Sequence, residues 1–266
     1  MLSKSLNFLQ SATDVCFSLI PRRFPEGRKA NDVCLVAHRG AHDVSLGILE
    51  NTHQAFERAL AMSCWGIELD INETKDKALL VHHDPDLKRI CGIDKTIREN
   101  TLEVLRAEVP ELLVLNDIVR LYGKKLHLFI ELKEPFTSEK ALQEALSPLI
   151  PCIDYHLISL SPDTFEKLTT FPRACFLLVS GHNNVKKYAK LCLQHNYGGL
   201  LGHYVLMSDK VIQQMKIHNK AFGVGFLESK NSLYREMNRN IPWLFTDNVT
   251  LISSHLRAFG KETTLS

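Results

Sequence analysis

Short, continuous apolar runs alternate with segments of helical periodicity from Val33 almost to the end of the chain. The run Val33-Cys34-Leu35-Val36-Ala37 is the first. Others cover residues 66–71, 126–133, 157–160, 175–179, 199–201, 222–226 and 243–245. A strand apolar on both faces is covered on both faces, which is the situation of a parallel sheet wrapped by helices. Between the runs, helical spacing predicts helices near 53–62, 101–108, 115–122, 138–149, 163–169, 185–195, 209–218, 232–238 and 248–259. One extra apolar run, 78–81, is set aside as an excursion after the second strand. What is left is about eight strand–helix units, the count of a (β/α)8 TIM barrel in a single domain. The same alternation fits an open doubly wound sheet. Against that stand the missing Gly-x-Gly-x-x-Gly turn and the charges that end the first three strands.

Those charges share an address. His38 and Arg39 follow the first strand, Glu68 and Asp70 close the second, and Glu131 and Lys133 close the third. In a parallel barrel the carboxyl ends of the strands meet on one face, where catalytic groups collect. Glu68 and Asp70 are two apart on a strand and therefore point the same way. Two carboxylates on one face, followed by His82-His83-Asp84, suit an oxygen-ligated cation with an acid/base partner.

Composition narrows the partners. A formal charge of +2 on 266 residues argues against nucleic acid or an anionic membrane as the main partner. The seven cysteines contain no Cys-x-x-Cys pair, which predicts free thiols, a cytoplasmic location and no zinc site. No segment reaches the roughly 20 apolar residues of a membrane span. Leu2, Leu6, Leu9, Ala12, Cys16 and Leu19 recur at helical spacing before Pro21. Residues 1–30 are thus expected to form an extra N-terminal helix and a basic link, with the helix packed on a barrel of residues 31–266. Its polar face lacks the lysine and arginine of an interfacial helix.

The motifs together carry a resemblance. Ala37-His38-Arg39-Gly40, Glu50-Asn51-Thr52, Ile67-Glu68-Leu69-Asp70-Ile71, Thr74-Lys75-Asp76, His83-Asp84-Pro85, Ile130-Glu131-Leu132-Lys133 and Phe245-Thr246-Asp247 resemble the successive signatures of glycerophosphodiester phosphodiesterases. The resemblance implies a metal-dependent phosphodiesterase that releases sn-glycerol 3-phosphate and an alcohol from a small glycerophosphodiester. It implies Glu68, Asp70 and Glu131 as metal ligands, and three hard oxygen donors suit Mg²⁺ or Ca²⁺. It implies His38 and His83 as the acid/base pair, and leaves His82 a structural part. It implies Arg39 and Lys133 as phosphate-binding cations, with Asn51 at the substrate or at Arg39 and Glu50 near the metal. In the scheme that the resemblance carries, a glycerol hydroxyl attacks first and water opens the resulting cyclic phosphate.

There are departures. Leu49 stands where a proline usually precedes Glu-Asn-Thr, Lys77 where a glycine follows Thr-Lys-Asp, and Gly225-Phe226-Leu227-Glu228 where the seventh barrel strand usually reads Trp-Thr-Val-Asn. The last change falls on the substrate side. It leaves open a phospholipase-D-like action on lysophospholipids or sphingolipids. From another class, a non-catalytic phosphate-binding barrel remains an alternative.

Overall fold

The computed structural model describes residues 15–181 and 183–264. Strands β1 (Cys34–Ala37), β2 (Gly66–Glu73), β3 (Leu79–Val81), β4 (His127–Leu132), β5 (Tyr155–Ser159), β6 (Phe176–Ser180), β7 (Gly199–His203), β8 (Ala221–Gly225) and β9 (Trp243–Thr246) form one sheet. Eight of them are parallel in the order β1-β9-β8-β7-β6-β5-β4-β2, and β2 pairs back onto β1. The sheet therefore closes into the expected barrel. The ninth, β3, pairs antiparallel on the far half of β2, with Ile71 opposite Val81. Helices fill the connections where the spacing placed them, with ends shifted by a few residues. One short helix, Lys88–Cys91, carries no sequence periodicity to announce it.

Alternation along each strand sorts the side chains. Outward-facing Ile67, Leu69, Leu128, Ile130 and Leu157 belong to the large layer between barrel and helices. Inward-facing Val36, Phe129, Ile158, Leu177, Leu201 and Phe245 plug the interior. The β2–β4 register sets Glu68 beside Phe129 and Asp70 beside Glu131. The acids thus stand on top of an apolar plug. A third cluster, Leu80, Leu87, Ile97, Leu105 and Leu112, gives the excursion after β2 a small core of its own.

Below the plug, at the amino ends of the strands, His127 and His156 are buried among Trp65, Phe129 and Trp243. His127 Nδ1 faces the Ile153 carbonyl at 2.9 Å, so that nitrogen donates and Nε2 accepts from His156 Nδ1 at 2.8 Å. Burial pushes His127 down to about 4 and His156 to about 3. Unfolding restores both toward 6.5, so the unfolded chain takes up protons first as the pH falls. Stability is full above about pH 6.5 and is lost toward pH 4, at up to about 1.4 kcal/mol per pH unit for each ring. H156Q keeps a donor for His127 and removes one titration. Its urea midpoint should fall less than that of the wild type between pH 7 and 4.5, and parallel curves would refute the assignment.

Before the barrel, residues 15–19 are helical. The helix stripe from Leu2 to Ala12 lies outside the described residues. Of its two described members, Cys16 is exposed and Leu19 is 73% exposed, against expectation. Phe17 makes the contact instead, edge-on to Tyr204 at 6.1 Å and beneath the Arg235 guanidinium at 5.4 Å. An off-stripe aromatic wins because it offers both a large apolar face and a cation–π partner. The link docks through Phe24, 4.9 Å from Phe259. Among the described residues no helix is long and apolar enough to cross a membrane.

Candidate active site

The first strand ends in a turn with two consecutive residues at positive φ, Arg39 at 55° and Gly40 at 79°. A Cβ on Gly40 would sit 2.8 Å from Ala55 Cβ, so only glycine lets the turn lie on helix His53–Ala61. The turn aims the Arg39 backbone N–H at Glu68 Oε2, 3.0 Å away. It also leaves His38 against the end of β9, where His38 N donates to the Thr246 carbonyl.

The Glu50-Asn51-Thr52 segment divides three tasks. Thr52 Oγ1 accepts from Ala55 N and caps the helix. Asn51 takes a positive φ of 57° and donates Nδ2 to Asp70 Oδ2 at 2.8 Å. Asn51 is buried and lines not the cavity of His38 and His83 but a separate one beside Glu50 and His82. It stands behind Asp70. Glu50 accepts from Arg39 Nη1 at 2.9 Å and from both terminal nitrogens of Arg89, at 2.7 and 3.0 Å. It therefore braces a cation instead of approaching the acids.

Glu68, Asp70 and Glu131 lie together, each with an oxygen within 4.8 Å of the others, and all three are buried. Lys133 Nζ lies 2.7 Å from Asp70 Oδ1 and also bonds Glu131. Arg39 Nε is 3.3 Å from Asp70 Oδ2. Burial by itself raises a carboxyl, but Lys133 and Arg39 hold Asp70 down at about 2. Glu68 is pushed well above the usual carboxylate range by burial and by the neighbouring Asp70 charge. Its Oε1 is buried with no hydrogen-bond partner. An orphaned buried carboxylate oxygen within three hard donors is what a divalent cation would satisfy. The residues fit such an ion.

Two histidines complete the wall. His38 Nδ1 lies 2.6 Å from Asp247 Oδ1, and its Nε2 is 3.6 Å from Glu68 Oε2. Burial pulls this ring down, but Glu68 and Asp247 outweigh it and carry His38 to about 8. His83 Nδ1 lies 2.7 Å from Asp84 Oδ1, and Asp84 Oδ2 is gripped by Arg89 Nε at 2.5 Å. Burial keeps His83 below the usual histidine value. The neighbouring His82 turns away, its Nε2 on the Asp86 carbonyl at 2.9 Å.

All of this opens on a cavity of about 310 Å³ at the carboxyl ends of the strands. His38, Arg39, Glu68, His83, Glu131 and Lys133 make its polar side. Ile158, Leu160, Val179, Leu201, Leu206 and Phe226 make an apolar side. Phe226, one of the residues replacing the usual seventh-strand signature, stands edge-on to His38 at 4.7 Å.

Residues 38–152 match the model of the glycerophosphoryl diester phosphodiesterase family, a span holding both histidines and all three acids. That segment of the chain is similar to this family. It is 31% identical over 134 residues to a glycerophosphodiester phosphodiesterase of Bacillus subtilis, covering 50% of this chain and 42% of that one. It is 38% identical over 64 residues to a lysophospholipase D of Homo sapiens, covering 24% of this chain and 19% of the relative. The chain thus spans about half or less of the curated relatives it matches. The fold is that of a Thermotoga maritima glycerophosphodiester phosphodiesterase, with TM-score 0.67, 23% identity and coverage of 88% and 98% of the two chains. It is likewise that of an Oleispira antarctica phosphodiesterase solved with sn-glycerol-3-phosphate, with TM-score 0.72, 17% identity and coverage of 86% and 100%.

In the sequence Asp84 and Asp247 stand out only as parts of motifs, and Arg89 does not stand out at all. Adjacency to His83 was the available signal for Asp84. Nothing local marks Arg89, whose partners are fixed by the fold of the excursion.

Proposed function

We propose that the chain hydrolyses glycerophosphodiesters to sn-glycerol 3-phosphate and an alcohol in a divalent-metal-dependent reaction. The observation that carries this is the shared polar wall, on which His38, His83, Glu68, Glu131, Arg39 and Lys133 line one cavity and the buried Asp70 clusters with the two glutamates. Glu68, Asp70 and Glu131 would hold the ion, Mg²⁺ or Ca²⁺, which when bound supplies positive charge against the phosphoryl oxygens. Arg39 and Lys133 add to that charge from the chain itself, the guanidinium as a planar fork and the ammonium as a point charge. Both rings have Nδ1 engaged by a carboxylate, so both are arranged to exchange protons through Nε2. In the metal-free site Glu68 and Asp247 raise the His38 ring, and burial lowers the His83 ring. His83 is accordingly assigned to accept the proton of the attacking hydroxyl. His38 is assigned to give one to the alkoxide that leaves as the ester P–O bond breaks. The seven free cysteines support a reducing, cytoplasmic setting.

The apolar side of the cavity favours a second reading. Ile158, Leu160, Val179, Leu206 and Phe226 would take a hydrocarbon chain beside the phosphate, as a lysophospholipase D requires. Glycerophosphocholine and lysophosphatidylcholine, each assayed with and without chelator, separate the readings. Turnover of the first, lost with chelator, supports the leading one, and turnover of the second alone supports the alternative. No turnover of either with Mg²⁺ or Ca²⁺ would end both.

A further inference from the structure

Asp247 lies outside the matched family segment and follows β9, at the opposite end of the sequence from His38. Strand pairing brings the two together. Ala37 is opposite Thr246, and His38 N donates to the Thr246 carbonyl at 3.1 Å. Thr246 is itself fixed, its hydroxyl donating to the Leu227 carbonyl at 2.6 Å and accepting from Asn248 N at 2.9 Å. The turn after β9 is thereby held where Asp247 Oδ1 meets His38 Nδ1 at 2.6 Å. The same oxygen lies 3.3 Å from His42 Nε2. On the other ring, Asp84 meets His83 Nδ1 in the same way at 2.7 Å.

We propose that Asp247 is a positioning residue for His38. Its carboxylate, which only accepts, holds the proton on Nδ1 and so leaves Nε2 toward the cavity. The Phe226 edge restrains the ring from another side. A carboxylate that holds a proton on Nδ1 of a proton-transferring imidazole is worth large factors in turnover elsewhere, because a ring protonated on both nitrogens gives up its Nε2 proton readily and a neutral ring whose only proton is on Nε2 does not. This role rests on the hydrolytic reading above, although the tautomer itself does not.

The decisive variant is D247N. Its amide nitrogen can donate to His38 Nδ1, which would move the ring proton to Nε2 without changing side-chain size. We expect D247N to lose about 10²-fold or more in kcat while KM and Tm stay near wild type. D247A should lose a similar factor, and D247E should regain part of it. A purely structural role would instead spare the isosteric amide. H42A separates the second histidine and should leave kcat unchanged; a loss equal to that of D247A would mean that Asp247 acts through His42 and would overturn the proposal. Nitrogen-15 NMR of the neutral His38 ring gives a readout independent of activity. Nδ1 should carry the proton in the wild type and lose it in D247N, and an unaltered tautomer would refute the role. If the wild type turned over no glycerophosphodiester, the hydrolytic reading would fail and the NMR comparison would still decide the tautomer. Wild-type kcat in D247N would sink the positioning role and leave hydrolysis standing.

Discussion

Glu68→Gln is expected to reduce phosphodiester turnover by about 10³-fold or more while making the metal-free protein more stable. Both effects come from the same three acids. The variant keeps a carbonyl-type oxygen for the Arg39 N–H, so the turn after β1 has its partner. What it removes is one negative charge from a buried group of three, in which Asp70 and burial already push Glu68 toward its neutral form. Without metal, that charge is a liability, because burying like charges together costs free energy that the unfolded chain does not bear. With metal, the charge supplies attraction that a neutral amide cannot. A ligand that binds only the folded state stabilises it by about 2.7 kcal/mol at a hundredfold excess over Kd. Thermal melts should therefore cross: E68Q melts above wild type in chelator, and below it in saturating Mg²⁺ or Ca²⁺. The loss in rate follows because each 1.36 kcal/mol of lost transition-state stabilisation is tenfold, and a bound cation supplies several. Full activity in E68Q, with a metal-dependent melt unchanged from wild type, would remove Glu68 from the ion site.

The second large effect concerns three histidines that look alike in the sequence. H38A and H83A should each lower kcat by about 10²–10⁴-fold, the usual worth of a positioned acid or base. H82A should stay within a few-fold of wild type in kcat and should instead lower Tm. His82 is buried, bonds the Asp86 carbonyl, and lines not the cavity of His83 but a separate one beside Asn51. The contrast between adjacent residues is the informative part. A strand-like segment sends neighbours to opposite sides, so a general disturbance of the loop would affect His82 and His83 together. A role of His83 at the cavity it lines separates them. Comparable losses in H82A and H83A would refute the assignment.

Much of this was legible in the chain. Apolar runs with charged ends were enough for the barrel, since strand period, helix period and the meeting of carboxyl ends leave little freedom once eight units are counted. The same periodicity placed Glu68 and Asp70 on one face, and the β2–β4 register then brought Glu131 level with Asp70. Asn51 was less legible. Its backbone turn is visible in residue type, but whether its amide faces a ligand or Asp70 depends on a contact across 19 positions. Phe17 was missed because a periodic stripe says which face is apolar and not which single ring finds a partner. The pairing of His38 with Asp247 spans 209 positions and exists only because the barrel closes between its first and last strands.

That closure is separable from the small excursion core of Leu80, Leu87, Ile97, Leu105 and Leu112. Yet Arg89, carried by the excursion, holds Asp84 behind His83 and Glu50 behind Arg39. The excursion therefore works as a fuse between the stability of the molecule and its chemistry. Damage there leaves the barrel's hydrogen-bonded ring intact while releasing the partners of His83 and Arg39 at once. In such a chain, loss of turnover reports local loosening well before any global melt does.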